Sequence, residues 1–210
     1  MTFLLLTMSL FEWKPEIWDK KYLAPELLNT NYNYQLISDE KGFGIFTFPL
    51  FSQLFCEELK TSLQSFNNWT ENRHKHYPTN DILLKDYNKS LYTIYDCIIR
   101  NIILPATNIL FTEELIEKKL THETFIVRYT PDKQGHLSLH NDNSVFSVIT
   151  TLSAETDYEG GGTLFSKQKL LVKCPAGTVT IHPGRMTHRH GVRPITRGTR
   201  YVIVSFVKCN

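Results

Sequence analysis

The chain has 210 residues, of which 41% are hydrophobic and 21% charged, with 13 Phe and 10 Tyr. That length corresponds to one substantial domain, and that composition excludes a disordered or collagen-like polymer. Lys and Arg outnumber Asp and Glu by only 23 to 21, so no overall field of one sign argues for a nucleic-acid or membrane partner.

The apolar run from Phe3 to Phe11 lacks a basic leader and a small-residue cleavage site. It also falls well short of the roughly 18 apolar residues of a membrane span, and reads as a packed N-terminal segment. Ser52 can cap a helix whose apolar residues Leu54, Phe55, Leu59, Leu63 and Phe66 recur at three- and four-residue spacing. Leu91, Ile94, Tyr95, Ile98, Ile99 and Ile102 form a second apolar stripe, which Pro105 is expected to end or kink because proline lacks an amide proton.

After Thr121 the pattern becomes short β-branched and aromatic runs: Thr124 to Tyr129, Val145 to Leu152, Leu170 to Lys173, Thr178 to His182, and Tyr201 to Val207. Strands following helices suggest an α+β fold, a jelly-roll or sandwich buttressed by helices on one face. With no repeat and no flexible linker, residues 1–210 read as a single domain, 1–120 mainly helical support and 121–210 the β core. Cys56, Cys97, Cys174 and Cys209 form no C-x-x-C pair and read as buried thiols.

His140 and Asp142 form an H-x-D triplet between two predicted strands, and residues two apart in extended chain point to one side. A second cluster, Thr187 to His190, is followed ten residues after its last histidine by Arg200. One histidine from it would complete a set of two imidazoles and one carboxylate, the facial triad of non-haem Fe(II) oxygenases, which leaves coordination positions open. His190, His188 and His182 are the rival third ligands. A closed zinc site would want four protein ligands, usually with Cys, and no cysteine lies near either cluster. The planar guanidinium of Arg200 is suited to grip the far carboxylate of 2-oxoglutarate bidentately. The Gly160, Gly161, Gly162 triplet marks a bulge or a place where a ligand or second backbone comes close.

Several stretches then resemble the catalytic domain of the collagen lysyl hydroxylases, the procollagen-lysine 2-oxoglutarate 5-dioxygenases. They are FIVRYTPD from Phe125, LHND ending at Asp142, DYEGGGTLF from Asp157, HPGRMTHRHG from His182 and TRGTRYVIVSFV ending at Val207. FTFPLFSQLFCEEL from Phe46, YPTNDI from Tyr77 and, more faintly, FEWKPEIWDKKYL from Phe11 extend the likeness over nearly the whole chain. The resemblance implies a double-stranded β-helix with His140, Asp142 and His190 binding Fe(II), Arg200 holding the 2-oxoglutarate C5 carboxylate and Tyr129 contacting that cosubstrate. It further implies O2 as co-reactant, ascorbate as the reductant that rescues oxidised iron, a collagen-like polypeptide as substrate and a homodimer. The implied activity is hydroxylation of C5 of peptidyl lysine in Gly-X-Lys sequences, with release of succinate and CO2.

The chain departs from the family in two places: Ile149 stands where an Asn is usual, and the loop between Trp69 and Tyr77 is short. Asp157 and Glu159 are the candidates for the substrate ammonium. The glycosyltransferase domains of the animal enzymes do not appear in this sequence. Stand-alone or differently fused relatives occur in giant DNA viruses, an origin that suits the Asn-, Lys- and Ile-rich composition. The family works in the endoplasmic reticulum lumen, but no signal peptide is evident, so the sequence assigns no compartment. The alternatives are a prolyl hydroxylase, an alkylated-base demethylase or a non-catalytic collagen-binding or dimerisation module. Prolyl 4-hydroxylases resemble the site but place Lys where Arg200 stands. The demethylases space their arginines five apart after the last ligand, whereas here Arg193, Arg197 and Arg200 fall at 3, 7 and 10.

Overall fold

A computed structural model describes residues 9–71, 73–74, 76–112 and 120–209. Most of the run from Phe3 to Phe11 therefore lies outside the described residues. Of its end, Leu10 is buried and its carbonyl accepts a bond from the indole of Trp18.

The main helices are α1 (Pro15–Tyr22), α2 (Gln53–Gln64), α3 (Lys89–Ile98) and α4 (Leu104–Phe111). Ser52 caps α2 as its sequence predicts, its hydroxyl accepting from the Phe55 amide at 3.3 Å. Phe55, Cys56, Leu59 and Leu63 form the buried face, whereas Leu54 points outward and Phe66 lies past the helix end, edge-on to Trp69. Trp18, Tyr22, Phe51 and Phe55 pack α1 onto α2, with the last two rings stacked at 3.9 Å.

Pro105 does not end the second apolar helix. Between α3 and α4 the chain winds as a π-helix over Ile99–Ile103, and Pro105 falls in the first turn of α4, where its missing amide costs least. The run Lys89–Phe111 is long and apolar enough to cross a membrane by length and composition. Its buried residues Leu91, Ile94, Tyr95, Ile98 and Ile103 instead share the core with the sheet residues Ile126, Val148 and Ile203.

The strands are β1 (Asp39–Glu40), β2 (Phe46–Pro49), β3 (Asp81–Leu83), β4 (Leu120–Tyr129), β5 (Leu137–His140), β6 (Phe146–Thr151), β7 (Tyr158–Gly160), β8 (Thr163–Phe165), β9 (Leu170–Val172), β10 (Thr178–Pro183), β11 (His190–Val192), β12 (Ile195–Gly198) and β13 (Arg200–Cys209). All five predicted runs are strands. A seven-stranded sheet in the order β1-β2-β10-β6-β13-β4-β3 is accompanied by a four-stranded one, β5-β11-β8-β9, and by the pair β12-β7. This antiparallel, helix-backed arrangement is the jelly-roll predicted from the sequence. The first half is less purely helical than expected, since β1, β2 and β3 supply both edges of the large sheet. Their brevity, from two to four residues, hid them.

The glycine triplet does mark a close approach of two backbones. A Cβ on Gly160, whose φ is +81°, would lie 2.2 Å from the Pro194 carbonyl oxygen across the β7–β12 pair. Cys56 and Cys174 are buried as expected, but Cys97 is only half-buried.

Leu59 is fully buried in the principal core. Leu59→Ala is expected to destabilise the fold by about 2–5 kcal/mol, read as a lowered midpoint in urea unfolding; a loss below about 1 kcal/mol would mean that α2 is not packed as described.

Candidate metal centre

β5 and β11 pair antiparallel, and their register sets His140 directly opposite His190. Cross-strand partners bring their side chains together, and the two imidazole rings lie 4.5 Å apart between centroids. Asp142, two residues beyond β5, completes the group: its Oδ1 is 3.2 Å from His140 Nε2 and its Oδ2 is 3.6 Å from His190 Nε2. One ligand atom from each of the three residues lies within 4.8 Å of the others, and all three residues are buried.

The remaining bonds of these residues orient their metal-binding atoms. His140 Nδ1–H donates to the Ser138 carbonyl at 2.8 Å and His190 Nδ1–H to the His188 carbonyl at 2.9 Å, which leaves each Nε2 with a lone pair facing Asp142. Ser147 donates its hydroxyl to Asp142 Oδ2 at 2.5 Å, while Oδ1 makes no hydrogen bond. Burial opposes charge on Asp142, but the adjacent imidazoles of His140, His190 and His182 hold its carboxyl well below the usual range. Burial lowers His190, whereas at His140 the neighbouring Asp142 carboxylate outweighs burial and raises it. A buried carboxylate with an uncommitted oxygen, facing two oriented imidazoles, fits a divalent cation of the iron type.

Of the rival histidines, His188 is engaged elsewhere and His182 falls outside the group of three, although its Nε2 has no hydrogen-bond partner. His188 donates Nε2–H to the Phe43 carbonyl at 2.8 Å, away from the triad, and Thr187 donates to its Nδ1. His182 is fully buried, donates Nδ1–H to the Pro183 carbonyl, and is pushed down to about 3 by burial and by His190. It therefore packs as a neutral ring, edge-on to His190 at 4.7 Å between centroids.

The triad opens into a cavity of about 350 Å³ whose lining runs between the sheets from Arg200 and Tyr129 to Phe125 and Phe206. Arg200 and Tyr129 are cross-strand partners in the β13–β4 register, and the guanidinium lies 5.7 Å from the centre of the phenol ring. Arg200 is 4% exposed, its Nε has no hydrogen-bond partner, and among the described residues it forms no ion pair. A buried cation so placed calls for an anionic ligand, and a carboxylate of 2-oxoglutarate meets that need. Burial pushes the Tyr129 phenol up to about 12, against the pull of Arg200, so it remains a neutral donor. Ile149 also lines the cavity and supplies an apolar wall where the family has an amide.

Two sequence expectations fail. Asp157 is paired with Lys60 at 2.6 Å and accepts from the Ala154 amide, and Glu159 pairs with the exposed Arg197 at 2.5 Å. Neither lines the cavity, because the residues around them serve the β7–β12 pair and its junction with α2. Conversely, sequence reasoning missed Ser147 and the stretch containing Arg73, His74, His76 and Tyr77, which lines the cavity mouth. The Tyr77 ring lies 5.0 Å from His140. The YPTNDI likeness from Tyr77 and the short loop between Trp69 and Tyr77 signalled that region, without assigning a role to any of these residues.

The fold and the site define a class, and residues 121–208 match its family description, the 2OG-Fe(II) oxygenase superfamily. The chain carries a 2OG-Fe(II) oxygenase domain, an oxidoreductase fold. It is 32% identical over 208 residues to the human multifunctional procollagen lysine hydroxylase and glycosyltransferase LH3, covering 92% of this chain and 27% of that protein. Human procollagen-lysine,2-oxoglutarate 5-dioxygenase 2 is 31% identical over 213 residues, covering 95% of this chain and 28% of that protein. The chain thus spans about a quarter of the length of these curated relatives. Among solved structures, the viral collagen prolyl hydroxylase of Paramecium Bursaria Chlorella virus-1 aligns over 79% of this chain and 96% of its own, with TM-score 0.55 at 14% identity. A 2OG-Fe(II) oxygenase family oxidoreductase from Burkholderia pseudomallei gives TM-score 0.56 at 16% identity, over 79% of this chain and 85% of its own. At those identities the likeness is one of fold.

Because Ser147 orients Asp142, Ser147→Ala is expected to weaken Fe(II) binding about 10–100-fold in anaerobic calorimetry, and Asp142→Ala to abolish it. Binding that survives Asp142→Ala would remove the carboxylate from the ligand set.

Proposed function

We propose that this chain is an Fe(II)- and 2-oxoglutarate-dependent hydroxylase acting on C5 of lysine in collagen-like Gly-X-Lys polypeptides. The observation that carries it is one cavity holding the His140, Asp142 and His190 triad and, at its far end, the buried unpaired cation of Arg200. The similarity to proteins named as procollagen lysine hydroxylases supplies the substrate class.

Fe(II) with 2-oxoglutarate and O2 supplies the oxidation, one oxygen atom passing to succinate as CO2 leaves and the other to the substrate C–H. The chain's own residues do the rest. His140, Asp142 and His190 would hold the metal, and a set of two imidazoles and one carboxylate would leave coordination positions for the cosubstrate. Arg200 anchors the distal carboxylate, with Tyr129 as a neutral donor beside it, and Ile149, Val202 and Val204 exclude water along the cosubstrate's length. Ascorbate serves as the reductant after turnovers that oxidise iron without hydroxylating substrate.

The homodimer belongs to the same reading. Phe43 and Met186 are 80% and 79% exposed on adjoining loops that the His188–Phe43 bond ties together, and a second copy would cover them. Met186→Asp is expected to give the monomer mass in light scattering; an unchanged dimer mass would place the interface elsewhere.

The functional test is conversion of 2-oxoglutarate to succinate by iron-loaded protein with Gly-X-Lys or Gly-X-Pro peptides, followed by peptide mass analysis. The expected result is peptide-stimulated succinate and the mass of one oxygen atom gained on lysine. Arg200→Gln is expected to raise the KM for 2-oxoglutarate at least about tenfold, the loss of a charged bidentate bond. Oxygen gained on proline alone would overturn the substrate assignment, and no turnover with iron bound would favour a non-catalytic collagen-binding module.

A further inference from the structure

The helical half of the chain carries a second cleft, bordered by α1 and α3. Its volume is about 640 Å³, room for a whole small molecule, and none of the residues that line it lines the cavity of the triad.

The walls are aromatic and fixed from behind. Trp13, Tyr32 and Tyr34 line the cleft together with Ile98 and Ile102. Trp13 packs on buried Trp18 at 5.5 Å between centroids, and Tyr34 on buried Phe48 at 5.7 Å. Tyr32 follows Asn31 in left-handed backbone, with φ of +61° and +50°, a conformation that a bulky side chain rarely adopts and that costs stability. The Tyr32 amide is bonded to the Leu27 carbonyl at 3.0 Å, which holds that turn in place. The far wall is irregular too, since Ile102 belongs to the π-helix of Ile99–Ile103, a rare form that is frequent at functional sites.

Into these aromatic walls α1 sets one carboxylate. Asp19 lines the cleft, its Oδ1 is buried without a hydrogen-bond partner, and among the described residues it forms no ion pair. Burial raises its carboxyl. Burial and the nearby Asp19 push the Tyr32 phenol up, and burial pushes that of Tyr34 up to about 12, so both phenols stay neutral. One carboxylate with an uncommitted oxygen thus stands among three neutral rings. Ring faces attract a cation, and the spare oxygen accepts an N–H, so the combination selects a protonated amine over an anion or a neutral molecule.

We propose that this cleft binds a small organic cation, a protonated amine carried on an apolar frame, with Asp19 accepting from its N–H and Trp13, Tyr32 and Tyr34 enclosing it. The site lies outside the oxygenase cavity, and it stands whichever side chain that cavity hydroxylates.

The cleft holds its own reporter. Cys97 lines it and is only half-buried, whereas Cys56 and Cys174 are buried. The test follows alkylation of Cys97 by iodoacetamide, mapped by peptide mass, on iron-loaded protein kept free of oxygen. Phenethylammonium is compared with phenethyl alcohol, which has the same frame without the charge. The ammonium is expected to slow alkylation at a concentration at least about tenfold lower than the alcohol, the margin that a charged hydrogen bond allows. Asp19→Asn is expected to erase most of that difference while leaving Fe(II) binding in calorimetry unchanged. Trp13→Leu, which keeps an apolar wall and removes a ring face, is expected to weaken the ammonium more than the alcohol. Equal protection by the two compounds, protection by neither, or a preference that survives Asp19→Asn would overturn the site. A Gly-X-Lys peptide forms the last arm. Protection by the peptide that is lost in Asp19→Asn would support the site and identify a polypeptide side chain as the source of the amine, whereas protection by the free amine alone would support it with a free small molecule as the source.

Discussion

Everything at this site depends on strand register. The β5–β11 pairing puts His140 across from His190, and the β13–β4 pairing puts Arg200 across from Tyr129. A slip of one residue in either ladder would turn the side chains to the opposite face and dissolve the site, so the forces that fix register also assemble the chemistry. They are visible. β6 is buried along its whole length between β10 and β13, so its neighbours are locked by packing on both faces. β7 is held to β12 by a contact only glycine permits, and the turn from β12 delivers Arg200 to the start of the last strand.

The electrostatics of the cavity follow from what is buried without compensation. Asp142 is surrounded by three imidazoles, which stabilise its charge but leave one oxygen without a hydrogen bond, while Arg200 lies buried with no counter-ion among the described residues. Each would be costly in a protein shaped only for stability. A cation between the histidines and a dianion reaching Arg200 would relieve both costs. Binding of either should stabilise the folded state by mass action.

Much of this was legible in the sequence, and for a physical reason. The H-x-D spacing, the second histidine cluster and the arginine ten residues on are local patterns, and local patterns survive in one dimension. Choosing His190 over His188 required the family resemblance, since both are near neighbours in sequence; the structure separates them by giving His188 to the Phe43 loop. Ser147 was invisible because its bond to Asp142 depends on how β6 leaves the intervening turn. Asp157 and Glu159 carried no spacing or motif that tied them to the site, and their partners Lys60 and Arg197 lie far from them in sequence, so only the structure shows them engaged elsewhere. Of the two outcomes expected at Pro105, an end or a kink, the chain shows no end: it winds on through the proline, and the irregularity is the five residues of π-helix just before it.

The cavity sets a buried charge against apolar walls. Arg200 supplies a positive charge inside it, while Phe125, Ile149, Val202, Val204 and Phe206 line it with apolar side chains. The triad is held between β5 and β11, strands of the opposing sheet. A dianionic ligand entering this space would meet the Arg200 guanidinium between apolar walls that keep water out, where the attraction of opposite charges counts for more than it does at the surface.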